Sequence, residues 1–300
     1  MAGTEAVPGQ TTLEPAVNPS HSSPPFQHLL LATERSEHDV PAEITALAMA
    51  ARCGLPLRVV LPLRSNPEYE IAAPELALRA EREMAARVAQ LREQATRAGV
   101  TLEVSVRRGE EPWREIVADA QASAADLLVT RHRGKQGILA RLLVGEMVSK
   151  VAGHAPCSML MVPPPGGLWS HHVLAAVDAS AHGPVVARQA AAVAATCGLP
   201  LTVLSVAPDG SAPAQAAALA VAQRAADAAM QAVPGLPAPP QVRTGQGRAY
   251  EAIVAAADAA GADLIVLGRR GETELADLLL GSTAQRVVGL AGRAVMLVRA

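Results

Sequence analysis

Aromatic side chains are nearly missing: two Trp, two Tyr and one Phe serve 300 residues. That scarcity removes the stacking platforms on which single-stranded nucleic acids are held, and it leaves Ala, Val and Leu to build the core. An excess of one charge is missing too. The 26 Lys and Arg nearly balance the 28 Asp and Glu, giving a formal net charge of −2 without any dense basic block, so a nucleic-acid surface is not expected. No apolar run approaches the roughly 18 residues a membrane helix needs, because Arg and Asp interrupt the Ala-rich stretches. Residues 1–25 lack a basic start and an apolar stretch, so they do not read as a secretory signal; their Pro, Ser and Thr predict a disordered tail. Cysteine is sparse and odd in number. Cys53, Cys157 and Cys197 form no Cys-x-x-Cys pair, which suits a reducing cytoplasm and three small thiols packed as hydrophobes.

Half of the residues are apolar, and 300 residues suffice for two domains with a core each. The chain reads as one unit written twice. Cys53-Gly-Leu-Pro-Leu57 returns 144 positions later as Cys197-Gly-Leu-Pro-Leu201, and the same offset lays Glu34 on Asp178, Ser36 on Ser180 and His38 on His182. Farther along, Asp126-Leu-Leu-Val129 matches Asp263-Leu-Ile-Val266 at an offset of 137, and Gly145 matches Gly281.

Short apolar runs alternate with Ala-rich helical segments in both units. The first predicts strands at residues 29–33, 57–61, 102–106, 127–130 and 158–162, with helices at 41–52, 74–98, 112–122 and about 145–152. The second predicts strands at 173–177, 201–206, 241–244, 264–267 and 295–298, with helices at 184–196, 215–231, 249–259 and 282–290. Alternation of this kind implies an α/β fold: two tandem, doubly wound, five-stranded parallel sheets covered by helices on both faces. Pro163-Pro-Pro-Gly-Gly167 marks the joint by composition, so the expected organisation is a domain over 26–163, a linker over 164–170 and a domain over 171–300. The last strand of each unit would be an exposed apolar edge if left alone, which predicts that the units pack together as a pseudo-dimer.

The stretch richest in chemistry starts at Asp263. A buried strand ends at Leu267, and Gly268 and Gly271 follow where the chain must turn or admit a ligand closely. Gly281 and Ser282 then stand where a helix should begin, so unpaired backbone N–H groups and a hydroxyl would face one space, as suits phosphate. In a doubly wound sheet such a site lies beyond the carboxyl ends of the strands, and Asp178 closes the first strand of the same unit.

Gly268, two residues, Gly271, nine residues, Gly281, Ser282 resembles the nucleotide-binding motif of the universal stress protein family. The resemblance implies a Rossmann-like fold of the adenine nucleotide alpha-hydrolase kind, strand order 3-2-1-4-5 and, within the family, pairing of the last strands. It further implies ATP or another adenine nucleotide as ligand, with Mg2+ able to accompany the phosphates. Carried over by position, Asp178 and Val206 would meet the adenosine end, and Leu267 and Gly268 the ribose. Arg269, Arg270, Gly271, Gly281, Ser282 and Thr283 would meet the phosphates. A carboxylate accepts from hydroxyl or amine donors, an apolar side chain lies against a purine, and cations with helix N-terminal amides hold phosphate oxygens.

Other readings are weaker. Gly245-Gln-Gly247 lacks the third glycine of a dinucleotide fingerprint and reads as a turn before a helix, and no Walker-type run exists. Asp178, Ser180 and His182 contain the residue types of a hydrolytic triad, yet one short loop does not assemble such a triad. His171-His172 has no supporting ligand spacing and reads as surface histidines at a strand edge.

The first unit departs from the motif at its site. Arg131 stands for the first glycine, the loop 135–144 is one residue longer, Glu146 replaces the hydroxyl and Glu34 replaces the aspartate, although Gly134 persists. A Glu146 carboxylate at the helix start would fill the anion position itself and repel phosphate. The first unit is therefore expected to bind no nucleotide. Three functions remain open: a nucleotide-binding stress regulator acting through conformation, a homodimer or a protein partner; an interaction protein with a vestigial pocket; and a slow ATPase with Asp178 as its one candidate base.

Overall fold

The computed structural model describes residues 24–34, 36–65, 67–132, 146–271 and 280–299. The expected tail thus falls almost wholly outside the described residues, as do Gly134, Gly145 and the longer loop of the first unit.

In the first half the strands are β1 (Leu29–Ala32), β2 (Leu57–Arg64), β3 (Leu102–Gly109), β4 (Leu127–Arg131) and β5 (Ser158–Val162). The helices are α1 (Val40–Cys53), α2 (Pro67–Ala72), α3 (Pro74–Arg97), α4 (Pro112–Ala122) and α5 (Glu146–His154), with a 3-10 turn at Glu37–Asp39. The second half supplies β6 (Val173–Val177), β7 (Leu201–Ala207), β8 (Gln241–Gln246), β9 (Leu264–Gly268) and β10 (Ala294–Val298). Its helices are α6 (Gly183–Cys197), α7 (Ala212–Ala232), α8 (Ala249–Ala259) and α9 (Ser282–Leu290). Sequence reasoning missed α2. It also began α7 three residues late, because the Ser211 hydroxyl accepts from Ala214 N and caps the helix upstream of Gln215. Gly245 and Gln246 belong to β8, and the turn is confined to Gly247, which takes φ +88°.

All ten strands form one sheet in the order β3-β2-β1-β4-β5-β10-β9-β6-β7-β8. Each half shows the winding 3-2-1-4-5, and the two meet where Val295, Met296 and Leu297 pair antiparallel with Met161, Leu160 and Met159. The edge that each half would have exposed is the seam of the pseudo-dimer. Both faces of the central strands are buried, which is why those strands read as apolar runs, whereas β3 and β8 at the sheet's two edges are half-buried or exposed and more polar. Leu29 and Leu31 enter the layer under α1, α3, α6 and α7, while Leu30 and Ala32 enter the layer under α4, α5, α8 and α9. Each layer runs through both halves.

The repeated Asp-Leu-(Leu/Ile)-Val segments have a shared mechanical role. Asp126 accepts from the amides of Gln27 and His28, and Asp263 from those of Ser170, His171 and His172, so each carboxylate pins the entry of a central strand. The proline-glycine joint is itself fastened. Gly167 N donates to Thr45 Oγ1 at 2.9 Å, and a Cβ on Gly166 would lie 2.5 Å from Pro41 O, so the joint packs onto α1.

Candidate functional site

In the second half the winding direction reverses between β6 and β9, which pair in parallel from Val173 to Ala176. Beyond their carboxyl ends lies a cavity of about 420 Å³, within the range of small-molecule sites. Its walls differ in kind. Val206, Leu204, Ile253, Ala218 and Val221 make one apolar; Gly268, Arg270, Gly271, Gly281, Ser282 and Thr283 make the other from backbone and polar groups; Asp178 and Leu267 also line it.

The polar wall exists because side chains are omitted. A Cβ at Gly268 would stand 2.9 Å from Arg270 O, one at Gly271 would stand 3.2 Å from Asp178 Oδ2, and one at Gly183 would stand 2.8 Å from Asp178 O. The loop between β9 and α9 is closed at its base, where Gly281 N donates to Arg269 O at 3.0 Å. Gly281 is the N-cap of α9 and offers no side-chain acceptor, which leaves the helix start able to serve an incoming anion. Asp178 divides its two oxygens. Oδ1 accepts from Ser180 N at 3.1 Å and from the Ser180 hydroxyl, while Oδ2 lies beside Gly271 at the cavity lining. Loop capping and a place in the cavity therefore coexist at Asp178, and the Ser180 hydroxyl is committed to that carboxylate.

One expected phosphate contact is not brought to the cavity. Arg269 is buried with its guanidinium turned into the first half, Nη1 donating to Ala152 O at 3.0 Å and Ala155 O at 2.9 Å. Burial, together with the charges of Arg270 and Arg299, lowers its pKa to about 10. It stays protonated at neutral pH, and its charge is spent on carbonyls at the end of α5. Asp178, Val206, Leu267, Gly268, Arg270, Gly271, Gly281, Ser282 and Thr283 are brought together.

At the corresponding place the first half carries an ion cluster. Arg131, where the second half has Gly268, is buried and pairs with Glu34 at 2.8 Å and with Asp39 at 3.1 Å. Asp39 occupies the position of Gly183, and the hydrogen-bonded capping turn at Ser36 places it there. Burial raises the Asp39 pKa, with Arg131 opposing the rise. Behind this cluster, Glu43 accepts from Thr33 Oγ1 at 2.6 Å and pairs with Arg87 of α3. The second half has Val177 and Ala187 in place of Thr33 and Glu43, and α7 presents Ala214, Ala217, Ala218 and Val221 to the cavity.

Two expectations are corrected here. Glu146 does not act as an internal anion: its side chain is 83% exposed and pairs with Lys150 at 2.9 Å. His172 is not a surface residue; it is buried with Nε2 2.8 Å from Thr202 Oγ1, and burial lowers its pKa. Sequence reasoning also missed Asp39, for which the available signal was its alignment with Gly183 at the 144-residue offset.

Among the described residues no cluster of His, Cys, Asp and Glu could hold a metal ion, and no helix is long and apolar enough to cross a membrane. The cysteines are free thiols. Cys157 is deeply buried and pushed up to about 12 by desolvation, so it is a packing residue.

A family model described as the universal stress protein family matches this chain twice, over residues 25–163 and 170–299. A universal stress protein encoded in the 3' region of a sulfhydrylase gene of Thermus aquaticus is 37% identical over 139 residues, which are 46% of this chain and 98% of that protein. Among solved structures, a universal stress protein from Archaeoglobus fulgidus superposes with a TM-score of 0.70 at 21% identity, covering 92% of this chain and 97% of that one. A functionally unknown protein from Pseudomonas aeruginosa gives 0.66 at 19%, covering 91% and 92%. At these identities the two structures speak for the fold.

Proposed function

The chain belongs to the universal stress protein family, and on that premise we propose that its second half binds an adenine nucleotide, ATP, as the regulatory ligand of a stress-response module. The observation that carries the reading is the glycine-walled cavity at the β6–β9 switch point, with an apolar wall on one side and a helix start on the other. The purine lies against Val206 and its apolar neighbours, with Asp178 accepting from hydroxyl or amine donors of the nucleoside. The ribose passes over Leu267 and Gly268. The phosphates rest on the amide of Gly271, the start of α9 with the hydroxyls of Ser282 and Thr283, and the guanidinium of Arg270. Bound phosphates offer their own oxygens to Mg2+, so the absence of a carboxylate cage among the described residues is compatible with a metal that arrives with the nucleotide. Occupancy then acts through conformation or a protein partner.

The test begins with the purified protein, whose acid-released ligand is identified by absorbance and chromatography. ATP titration should raise the melting temperature of the whole chain. A variant carrying Gly281→Glu and Ser282→Glu should show no such rise, because the added side chains fill the cradle and repel phosphate. Stabilisation at wild-type strength in that variant would put the nucleotide elsewhere.

A further inference from the structure

Arg269 sits between two residues that line the cavity, yet each of its hydrogen-bonding parts points elsewhere. Its amide donates to Val298 O at 3.0 Å, its carbonyl receives Gly281 N at 3.0 Å, and its guanidinium holds Ala152 O and Ala155 O in the first half. Those two carbonyls stand at the C-terminal end of α5, where orphan acceptors and the negative end of the helix dipole favour a cation. The residue therefore joins β10, the base of the glycine loop and a helix of the other half at one point.

The crossing is made in the opposite direction as well. His132 follows β4 as Arg269 follows β9; its amide donates to Val162 O at 2.8 Å, and its ring hydrogen-bonds the backbone of Val288 in α9. Val288 is the positional counterpart of Ala152. Both halves thus use the residue after their fourth strand to hold the end of the other's last helix. The two residues differ in what their own strand ends serve: in the second half a cavity, in the first the Arg131 ion cluster.

We propose that Arg269 is a positioning residue through which the first half holds the nucleotide cradle of the second in shape. The inference rests on the nucleotide reading above. Gly268 and Gly281 are the two sides of the cradle, and the Arg269 backbone ties them, following Gly268 in the chain and accepting from Gly281 N at 3.0 Å. Without the guanidinium the Ala152 and Ala155 carbonyls lose their donor and the side chain loses its anchor in the first half, so the backbone that carries Gly268 and receives Gly281 is no longer held against α5. The first half is then retained as a part of the site rather than as a second site.

The experiment titrates ATP into four forms of the full chain by calorimetry: wild type, Arg269→Met, Arg269→Lys and His132→Leu. Their melting without nucleotide is followed in parallel. Arg269→Met and His132→Leu each orphan carbonyls at a helix end of the same interface, so both should melt earlier. Only Arg269→Met should also weaken ATP binding, by about tenfold, the size of one lost charge-assisted hydrogen bond. Arg269→Lys keeps the charge but not the fork, and should lose less affinity; it carries the test if the Met variant does not fold. Wild-type affinity in the Arg269 variants, or an equal loss in His132→Leu, would overturn the proposal. A wild-type chain that takes up no ATP would overturn the nucleotide reading itself, and this inference with it.

Discussion

At two matching places the first half has Arg131 and Asp39 where the second has Gly268 and Gly183, and in the second half both glycines line the cavity. Strand order is the same on both sides of the seam, so the difference costs nothing in architecture. A cavity in this fold is a set of omitted side chains, and adding back complementary charges closes it while leaving the sheet intact. Closing it is not free of consequence for the first half. Buried ion pairs seldom stabilise beyond an apolar filling of the same volume, but each member becomes indispensable once the others are buried with it.

Transplanting the closure gives the largest expected effect. Gly268→Arg places a Cβ 2.9 Å from Arg270 O and brings a guanidinium beside Asp178, as Arg131 lies beside Glu34. ATP affinity should fall by about 100-fold or more, equivalent to roughly 3 kcal/mol, measured by calorimetry while circular dichroism confirms an unchanged fold. Undiminished binding would show that the first half's ion cluster is not what separates the two halves.

Opening the closure should cost stability without gaining a ligand. Arg131→Met leaves Glu34 and Asp39 in place with their cation gone, and breaking such a buried cluster costs about 3 kcal/mol. Urea denaturation of the whole chain should report a loss of that size, softened where Asp39, whose pKa is already raised by burial, takes up a proton. Binding of a second nucleotide by this variant would mean that one side chain alone holds the first site shut.

Much of this contrast was legible in the sequence. Doubly buried strands announce themselves as apolar runs, the Cys-Gly-Leu-Pro-Leu repeat aligned the two halves, and the apolar last strands pointed to the seam, whereas the strand order was implied by the family resemblance. The glycine spacing likewise marked the cavity, because a glycine requirement is a backbone property visible at one position. What escaped were pairings between distant residues. Nothing near Asp39 announces that it meets Arg131, and nothing in Arg269-Arg270 tells which guanidinium faces the cavity, since orientation there depends on the carbonyls of α5 across the seam. Glu146 was misplaced for the same reason: Lys150, one helical turn on, draws it outward.

A smaller effect distinguishes the crossing residues by pH. Burial holds the His132 pKa below its ordinary value near 6.5, so the unfolded chain takes up a proton there before the folded one does. Its contribution is complete above that ordinary value and is lost as pH falls through the folded pKa. Wild type should therefore lose stability on acidification more steeply than His132→Leu, a comparison in which His172, shifted the same way, cancels. Arg269 stays charged across this range, so Arg269→Met should leave the slope unchanged.

The most direct measurement is the stoichiometry of ATP on the intact chain. Calorimetric titration should saturate near one equivalent, and the segment from about Pro25 to Val162, if it folds by itself, should give no binding heat. Saturation at two equivalents would contradict the account, because Glu34, Asp39 and Arg131 would then have to part and form a working site of their own.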